Sequence, residues 1–350
     1  MDDSRAFHEF ASDNTAGICP EALAAIAEAN KAAAAAYGDD QWTAQLCDRV
    51  REIFETDCEV FPLFNGTAAN ALALAQLCRS FHSVICHAHA HINTDECGAP
   101  EFFSAGAKLL LVGGDNGKID IDQAQDVIAR QPELHAQKPR VVSITQATEF
   151  GTVYSQKEIA AVSKFARSHE MFLHMDGARF ANAIANLNCA PKEITWQAGV
   201  DVLCFGGTKN GLPAGELAVF FRKELAHEFD YRIKQAGQLG SKMRFLAAAW
   251  LGLLGNDVWL KNARHANDFA QQLAKRLRDH AQIDIVFPVE ANAVFVRLTN
   301  EFAAALQKCG WHFYKFIEPD VYRLMCSWVT RAEEIDRLLA DIERSRPPSS

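Results

Sequence analysis

The spacing of apolar positions divides the chain into three stretches. In the first, Pro20 stands where a helix's first turn accepts proline, and an Ala-rich run predicts a helix continuing to Tyr37-Gly38. Leu46, Val50 and Ile53 at i, i+4 and i+7 predict a second helix over Thr43–Phe54. Leu72, Leu74 and Leu77 belong to a third that opens near Thr67. In the second stretch short β-rich runs alternate with helices: Ser83–Cys86, Lys108–Val112, Arg140–Thr145, Met171–Met175, Val200–Phe205 and Leu217–Phe221. Ser155 and Glu158 form a capping box that opens one of the intervening helices. Strand runs without alternation, separated by helices, predict a mostly parallel sheet covered on both faces, with its ligand crevice at the carboxyl ends of the strands.

From about Lys223 the pattern turns helical, with a long helix from after Asn256 to about His280. Strands at Ile283–Phe287, Ala293–Leu298 and Val321–Cys326 follow, interleaved with helices at 301–309 and 331–344. The last helix opens on a second predicted capping box, Thr330 with Glu333. This stretch reads as a smaller α+β domain, and the tail Arg346–Ser350 as a frayed end.

The chain's 350 residues fit two domains better than one. A net charge of −9 argues against a general nucleic-acid or anionic-membrane binder. The ten cysteines form no C-x-x-C pair and lie mostly in apolar runs such as Val202–Phe205, as reduced, buried thiols do. The polar Met1–Arg5 predicts no secretory leader, and the apolar stretch Phe245–Leu254 is far short of the ~20 residues of a membrane span. A cytoplasmic protein is expected.

Four segments carry candidate chemistry. His87, His89 and His91 directly follow a strand, and on an extended backbone alternate imidazoles share a face, which makes a metal site with Asp95 and Glu96 one reading. The other is a single working His in a polar loop. Asp176-Gly177-Ala178-Arg179 places an acid at a strand's carboxyl end. Gly206-Gly207-Thr208-Lys209 places a lysine after a buried strand among glycines that admit close approach of a ligand; desolvated, such a lysine becomes an imine-forming nucleophile. Gly66-Thr67 opens a helix whose N-terminus suits a phosphate, without the spacing of a P-loop.

Taken together, a phosphate cradle, then His91, Asp176 and Lys209 resemble the large domain of aspartate-aminotransferase-type enzymes. Further segments are Ser12–Thr15, Tyr37–Asp40, Gly98-Ala99, Gly240–Arg244 and Tyr322–Leu324. With them the chain resembles the low-specificity L-threonine aldolases over Phe10 to about Leu339. The resemblance implies a pyridoxal-phosphate-dependent transferase-like α/β fold (fold type I): a mostly parallel seven-stranded sheet sandwiched by helices, plus the smaller C-terminal domain. The parts would be an N-terminal arm (1–18), a large cofactor-binding domain (19–250) and a small domain (251–350).

It further implies pyridoxal phosphate as cofactor and no metal. Lys209 would carry the cofactor as an imine, Asp176 would face its pyridine nitrogen and His91 would stack on its ring. Gly66 and Thr67 would hold the phosphate, with Arg244 reaching in from a neighbouring subunit, and Arg179 and Thr208 would also lie at the cofactor. Ser12, Arg179 and Arg323 would bind the substrate carboxylate. The activity implied is retro-aldol cleavage of L-threonine, L-allo-threonine and related β-hydroxy-α-amino acids to glycine and an aldehyde. The site would be built across a homodimer, within a homotetramer.

The chain departs from the family pattern at Gln146–Phe150, where many members carry a Thr-His pair. The base for the substrate hydroxyl is then His91, through a water, ahead of Glu149. Ile92–Glu96 lacks the aromatics often found there, which implies a more polar pocket or a different aldehyde. The competing readings are another fold-type-I enzyme (a β-eliminating lyase or aminotransferase), a His-cluster metal hydrolase, and an inactive scaffold.

Overall fold

The computed structural model describes residues 8–130, 133–279 and 283–345. The readings placed on Met1–Arg5, His280 and Arg346–Ser350 lie outside these. Seven strands form the main sheet: β1 (Glu59–Leu63), β2 (His82–His87), β3 (Lys108–Val112), β4 (Lys138–Thr145), β5 (Phe172–Gly177), β6 (Val202–Gly206) and β7 (Glu216–Phe220). Their spatial order is β1-β7-β6-β5-β4-β2-β3. Strands β3, β2, β4, β5 and β6 run parallel, while β7 is antiparallel to both β6 and β1.

Both faces of these strands are apolar, so both need cover. Val84, Val141, Val202, Cys204, Ala218 and Phe220 pack on one side with α3 (Gly66–Leu77). Ile85, Val142, Leu203, Phe205, Leu217 and Val219 pack on the other, beneath α1 (Pro20–Ala29) and α2 (Gln41–Phe54). The same layer holds α5 (Gln156–Ser168), α6 (Phe180–Leu187) and α7 (Arg244–Leu254); α4 (His91–Thr94) is a single turn after β2. Helix α3 is apolar all round and buried all round, as this layering requires.

The C-terminal stretch has its own sheet of β8 (Ala293–Arg297), β9 (Tyr314–Ile317) and β10 (Val321–Met325), in the order β9-β10-β8 and antiparallel throughout. It is covered by α9 (Asn300–Lys308) and α10 (Ala332–Ser345). Helix α8 (Val258–Asp279) spans both cores: Val258, Trp259 and Ala263 pack below the large sheet, and Ala270, Leu273 and Leu277 below the small one. At the start of the chain His8–Glu9 pairs in parallel with Trp311–His312 beside the small sheet.

Four local expectations are corrected. The Ala-rich run stops being helical at Ala29, because residues 31–36 leave the core and have no face to bury. Glu59–Leu63 is a strand that the reading of the sequence passed over; Pro62 is accommodated because β1 is an edge strand, paired only with β7. Ile283–Phe287 forms no strand, only an isolated bridge from Ile285 to Val296. Thr330 does not cap with Glu333: its hydroxyl takes the Ser327 N–H, and Glu334 reaches back to the Arg331 N–H. The Ser155–Glu158 capping box forms as expected.

One buried carboxylate holds the entry to β6. Asp201 accepts both terminal nitrogens of Arg167 (2.6 and 2.9 Å) and the Leu173 N–H (2.7 Å). Arg167 is 40 % exposed and can turn to water, whereas the Leu173 N–H cannot. Asp201→Ala should therefore destabilise the protein by about 2–3 kcal/mol, read from urea unfolding. A change under ~0.5 kcal/mol, the size typical of inert surface sites, would refute this account of the clasp.

Candidate active site

The elements meet at the carboxyl edge of the large sheet. After β6 the chain makes a 3-10 turn over Thr208–Asn210, closed by Gly211 at φ +114, and returns as β7. Glycine is required before this turn by protein, not by ligand. A Cβ on Gly206 would sit 2.5 Å from the Ala178 carbonyl oxygen, and one on Gly207 2.6 Å from the Trp250 ring. The expected role of these glycines, admitting a ligand, is thus corrected. Glu216 fastens the turn by accepting the Gly207 N–H at 3.1 Å and the Thr208 hydroxyl. Lys209 lies half-buried on this turn; burial first, then the nearby Arg179, lowers its pKa and makes the free amine more available.

Asp176 is buried near the end of β5, where its carboxylate accepts the Asn70 amide (2.9 Å) and the Ala178 N–H (3.0 Å). Asn70 lies one turn into α3, and the same amide nitrogen donates to Glu96 at 2.8 Å. Glu96 in turn meets His91 Nδ1 at 2.8 Å, and His91 Nε2 stands 3.5 Å from Asp95. The bond to Glu96 outweighs burial and raises the His91 pKa. At the start of α3, Asn65 caps the Ala68 N–H; among the described residues nothing accepts the Gly66 and Thr67 N–H groups. The space beside Gly66 is open, since a Cβ there would find no atom within 4 Å. An anion can therefore approach this helix end.

The three imidazoles do not converge. Strand β2 ends at His87 and the chain turns, so the alternation assumed for an extended backbone does not continue. His87 Nε2 lies 3.2 Å from the Gly114 carbonyl, and His87 and His89 pack against Phe150 while His91 faces Glu96. Among the described residues the one set of His and carboxylate groups close enough to share an ion is His91, Glu96 and Asp176, where the Asn70 amide already bridges the two acids.

A cleft of about 370 Å³ opens over this edge, lined by Ser12, His91, Glu149, Arg179, Lys209 and Arg323, with Phe316 on its far wall. Two of the three guanidinium nitrogens of Arg179 are engaged: Nε and Nη2 donate to Asp13 at 2.7 and 2.9 Å. Burial disfavours the Asp13 charge, but Arg179 and the Asn292 amide prevail and its pKa is lowered. Arg323 differs. It donates to the Ala11 carbonyl (3.2 Å), its Nε is shielded without a partner, and among the described residues no carboxylate lies within 4 Å of it. Burial, then Arg179, lowers its pKa to about 10. A small anion bound here would give this cation the direct partner that no described residue supplies. Ser12 accepts the Asn14 N–H on the cleft wall.

Of the residues singled out in the sequence, Ser12, His91, Arg179, Lys209 and Arg323 line one cleft, and Asp176 is buried beneath them. Gly66, Thr67 and Thr208 belong to the adjoining helix start and turn. Arg244 does not line the cleft of its own chain; it begins α7, stacks 4.5 Å over the Phe245 ring and leaves its shielded Nε without a partner. The reading of the sequence missed Asn70, Asn292 and the separate role of Asp13. Asn70 had a usable signal: with Gln76 it is one of two polar side chains in the apolar run Ala68–Leu77.

The β-eliminating lyase family matches residues 9–301. The low specificity L-threonine aldolase of Pseudomonas aeruginosa is 57 % identical over 334 residues, covering 95 % of this chain and 96 % of that one. The solved threonine aldolase of Leishmania major superposes with a TM-score of 0.90 at 27 % identity, covering 96 % of this chain and 98 % of that one. The aspartate aminotransferase of Thermus thermophilus, at 16 % identity and a TM-score of 0.72 over 98 % of this chain and 91 % of that one, shares the fold. The chain belongs to the β-eliminating lyase family and, within it, to the low-specificity L-threonine aldolases.

Proposed function

We propose that this protein is a carbon–carbon lyase that cleaves L-threonine, L-allo-threonine and related β-hydroxy-α-amino acids to glycine and an aldehyde, with pyridoxal phosphate as cofactor. The observation that carries the reading is the pairing, in one cleft, of an activated amine, Lys209, with a guanidinium, Arg323, that has no carboxylate within 4 Å among the described residues. A family membership in which curated relatives are named for threonine aldolase activity fits this pairing.

The residues present fit the cofactor. Lys209 would hold its aldehyde carbon, Asp176 its ring nitrogen, and His91 one face of its ring. The open helix start at Gly66 and Thr67 would take the phosphate, with Thr208 beside it. When bound, pyridoxal phosphate supplies an electron sink for the bond being broken. The protein's part is positional. Arg323 and the remaining nitrogen of Arg179, with Ser12, would fix the substrate carboxylate. The Asn70 and Ala178 N–H groups keep the Asp176 carboxylate in one orientation. By family resemblance the site would be completed by a second subunit within a homotetramer; Arg244, which does not line the cleft of its own chain, is compatible with that. A cytoplasmic setting suits the ten free thiols; among the described residues no helix is long and apolar enough to cross a membrane.

Borohydride reduction of the purified protein with pyridoxal phosphate should bleach its visible band and leave the label on Lys209, and Lys209→Ala should form no product. Asp176→Asn should lose about 10²–10³-fold in kcat. Product analysis discriminates the rival within the fold: keto acid without glycine would overturn the aldolase reading.

Asp13→Asn should raise KM about tenfold by loosening the Arg179 fork, a misplacement of the size that costs up to ~10² in rate. Its pH signature has a definite sign. The lowered Asp13 pKa stabilises the fold fully above the ordinary carboxylate value of about 4, and that contribution is lost as pH falls through the lower native value. The variant should be less stable at pH 7 with a shallower acid-unfolding profile; an unchanged profile would remove Asp13 from this role.

A further inference from the structure

Glu149, second to His91 as the base expected from the sequence, lines the cleft. Strand order reverses between β2 and β4, and loops leaving the carboxyl ends of these two strands bring His91 and Glu149 together. Glu149 Oε1 accepts the His91 N–H at 2.8 Å and the Thr145 hydroxyl at 2.9 Å. The residue lines the cleft but is half-buried, and its Oε2 is shielded from solvent with no donor among the described residues. The two oxygens are therefore unlike. One is fixed by two donors, and the other has none among the described residues, so the carboxylate is held at the cleft edge without being fully compensated.

His91, expected from the sequence to act as the base, is badly placed for it. Its ring nitrogens face Glu96 and Asp95, two carboxylates that favour the protonated ring. A ring that holds its proton donates instead of accepting.

We propose that Glu149, which lines the cleft with Lys209 and Arg323, accepts the β-hydroxyl proton of the substrate as the Cα–Cβ bond breaks. The inference rests on the aldolase reading above. The hydroxyl proton moves to the Glu149 carboxylate, and the O–H electron pair becomes the second bond of the departing aldehyde's carbonyl. The Cα–Cβ pair ends on Cα, where a proton drawn from water completes glycine, and Glu149 returns its own proton to water.

The surroundings tune the group for this. Burial, then the Asp176 charge, pushes the Glu149 pKa up to about 7, and the two donors on Oε1 oppose them. The other ionisable groups facing it are Arg179, Cys86 and Tyr154, with Lys209, Arg323 and Asp95 across the cleft. The base form predominates above the pKa, so kcat/KM for threonine should fall as pH drops below about 7.

The test is Glu149→Gln in the holoenzyme. Threonine cleavage should drop about 10²–10⁴-fold, while exchange of the α-proton of glycine into heavy water, which needs no β-hydroxyl chemistry, is retained. Glycine affinity and the cofactor absorbance band should be unchanged, and the infrared band of a protonated carboxyl that titrates near pH 7 should vanish. Cleavage at the wild-type rate would overturn the proposal, as would equal loss of cleavage and glycine exchange. Thr145→Val serves if the first variant misfolds. Removing a donor to the carboxylate should move the acid limb of kcat/KM upward, and an unmoved limb would also overturn the assignment. Wild-type enzyme in the same assay separates the two levels: absence of glycine from threonine there refutes the aldolase reading itself.

Discussion

Two buried carboxylates, Asp176 and Glu96, share a single amide nitrogen, Asn70 Nδ2, at 2.9 and 2.8 Å. Two acids this close repel each other, and burial alone would favour neutralising one of them. The shared donor offsets that repulsion and ties three parts of the chain to one point: helix α3, strand β5 and the segment after β2. The free helix start at Gly66, the acid at Asp176 and the ring of His91 are thereby held in a common frame. Glu96 carries the frame one bond further, to His91 Nδ1. The polar site is thus a single connected network set into the apolar layer that α3 lays across the sheet.

Much of this was legible in the sequence, for identifiable reasons. Strands buried on both faces read as unbroken apolar runs, so β2, β5, β6 and β7 stand out without reference to distant partners. Residues at the carboxyl ends of such strands, Asp176 and the turn bearing Lys209, inherit their position from the topology. Strand β1 escaped because Pro62 and Glu59 argue against a strand in isolation, and only its edge position makes them acceptable. The Ala-rich run after Pro20 misled in the opposite direction. Helix propensity was present beyond Ala29, but no apolar partner was there to retain it.

The partnerships inside the site were not legible. Asp13 meets Arg179, and Asn292 meets Asp13, across separations that no local pattern encodes. The cluster of His87, His89 and His91 shows the converse: spacing by two residues implies a shared face only while the strand continues, and β2 ends at His87. Glu149 lay between these cases. Its position in the loop was visible, while the difference between its two oxygens depends on Thr145 and the His91 backbone.

The first described residues of the chain set a mechanical limit. The Phe10 carbonyl accepts the Met325 N–H and the Phe10 N–H donates to the His312 carbonyl, which fastens this residue to the small sheet. Three residues later Asp13 is locked to Arg179 beside the large one. Three extended residues span at most about 11 Å. The N-terminal segment is therefore a tether of fixed length between the two walls of the cleft. The wall bearing Arg323 is thereby kept within a three-residue backbone reach of Arg179, so the width of the cleft is set in part by a stretch of main chain.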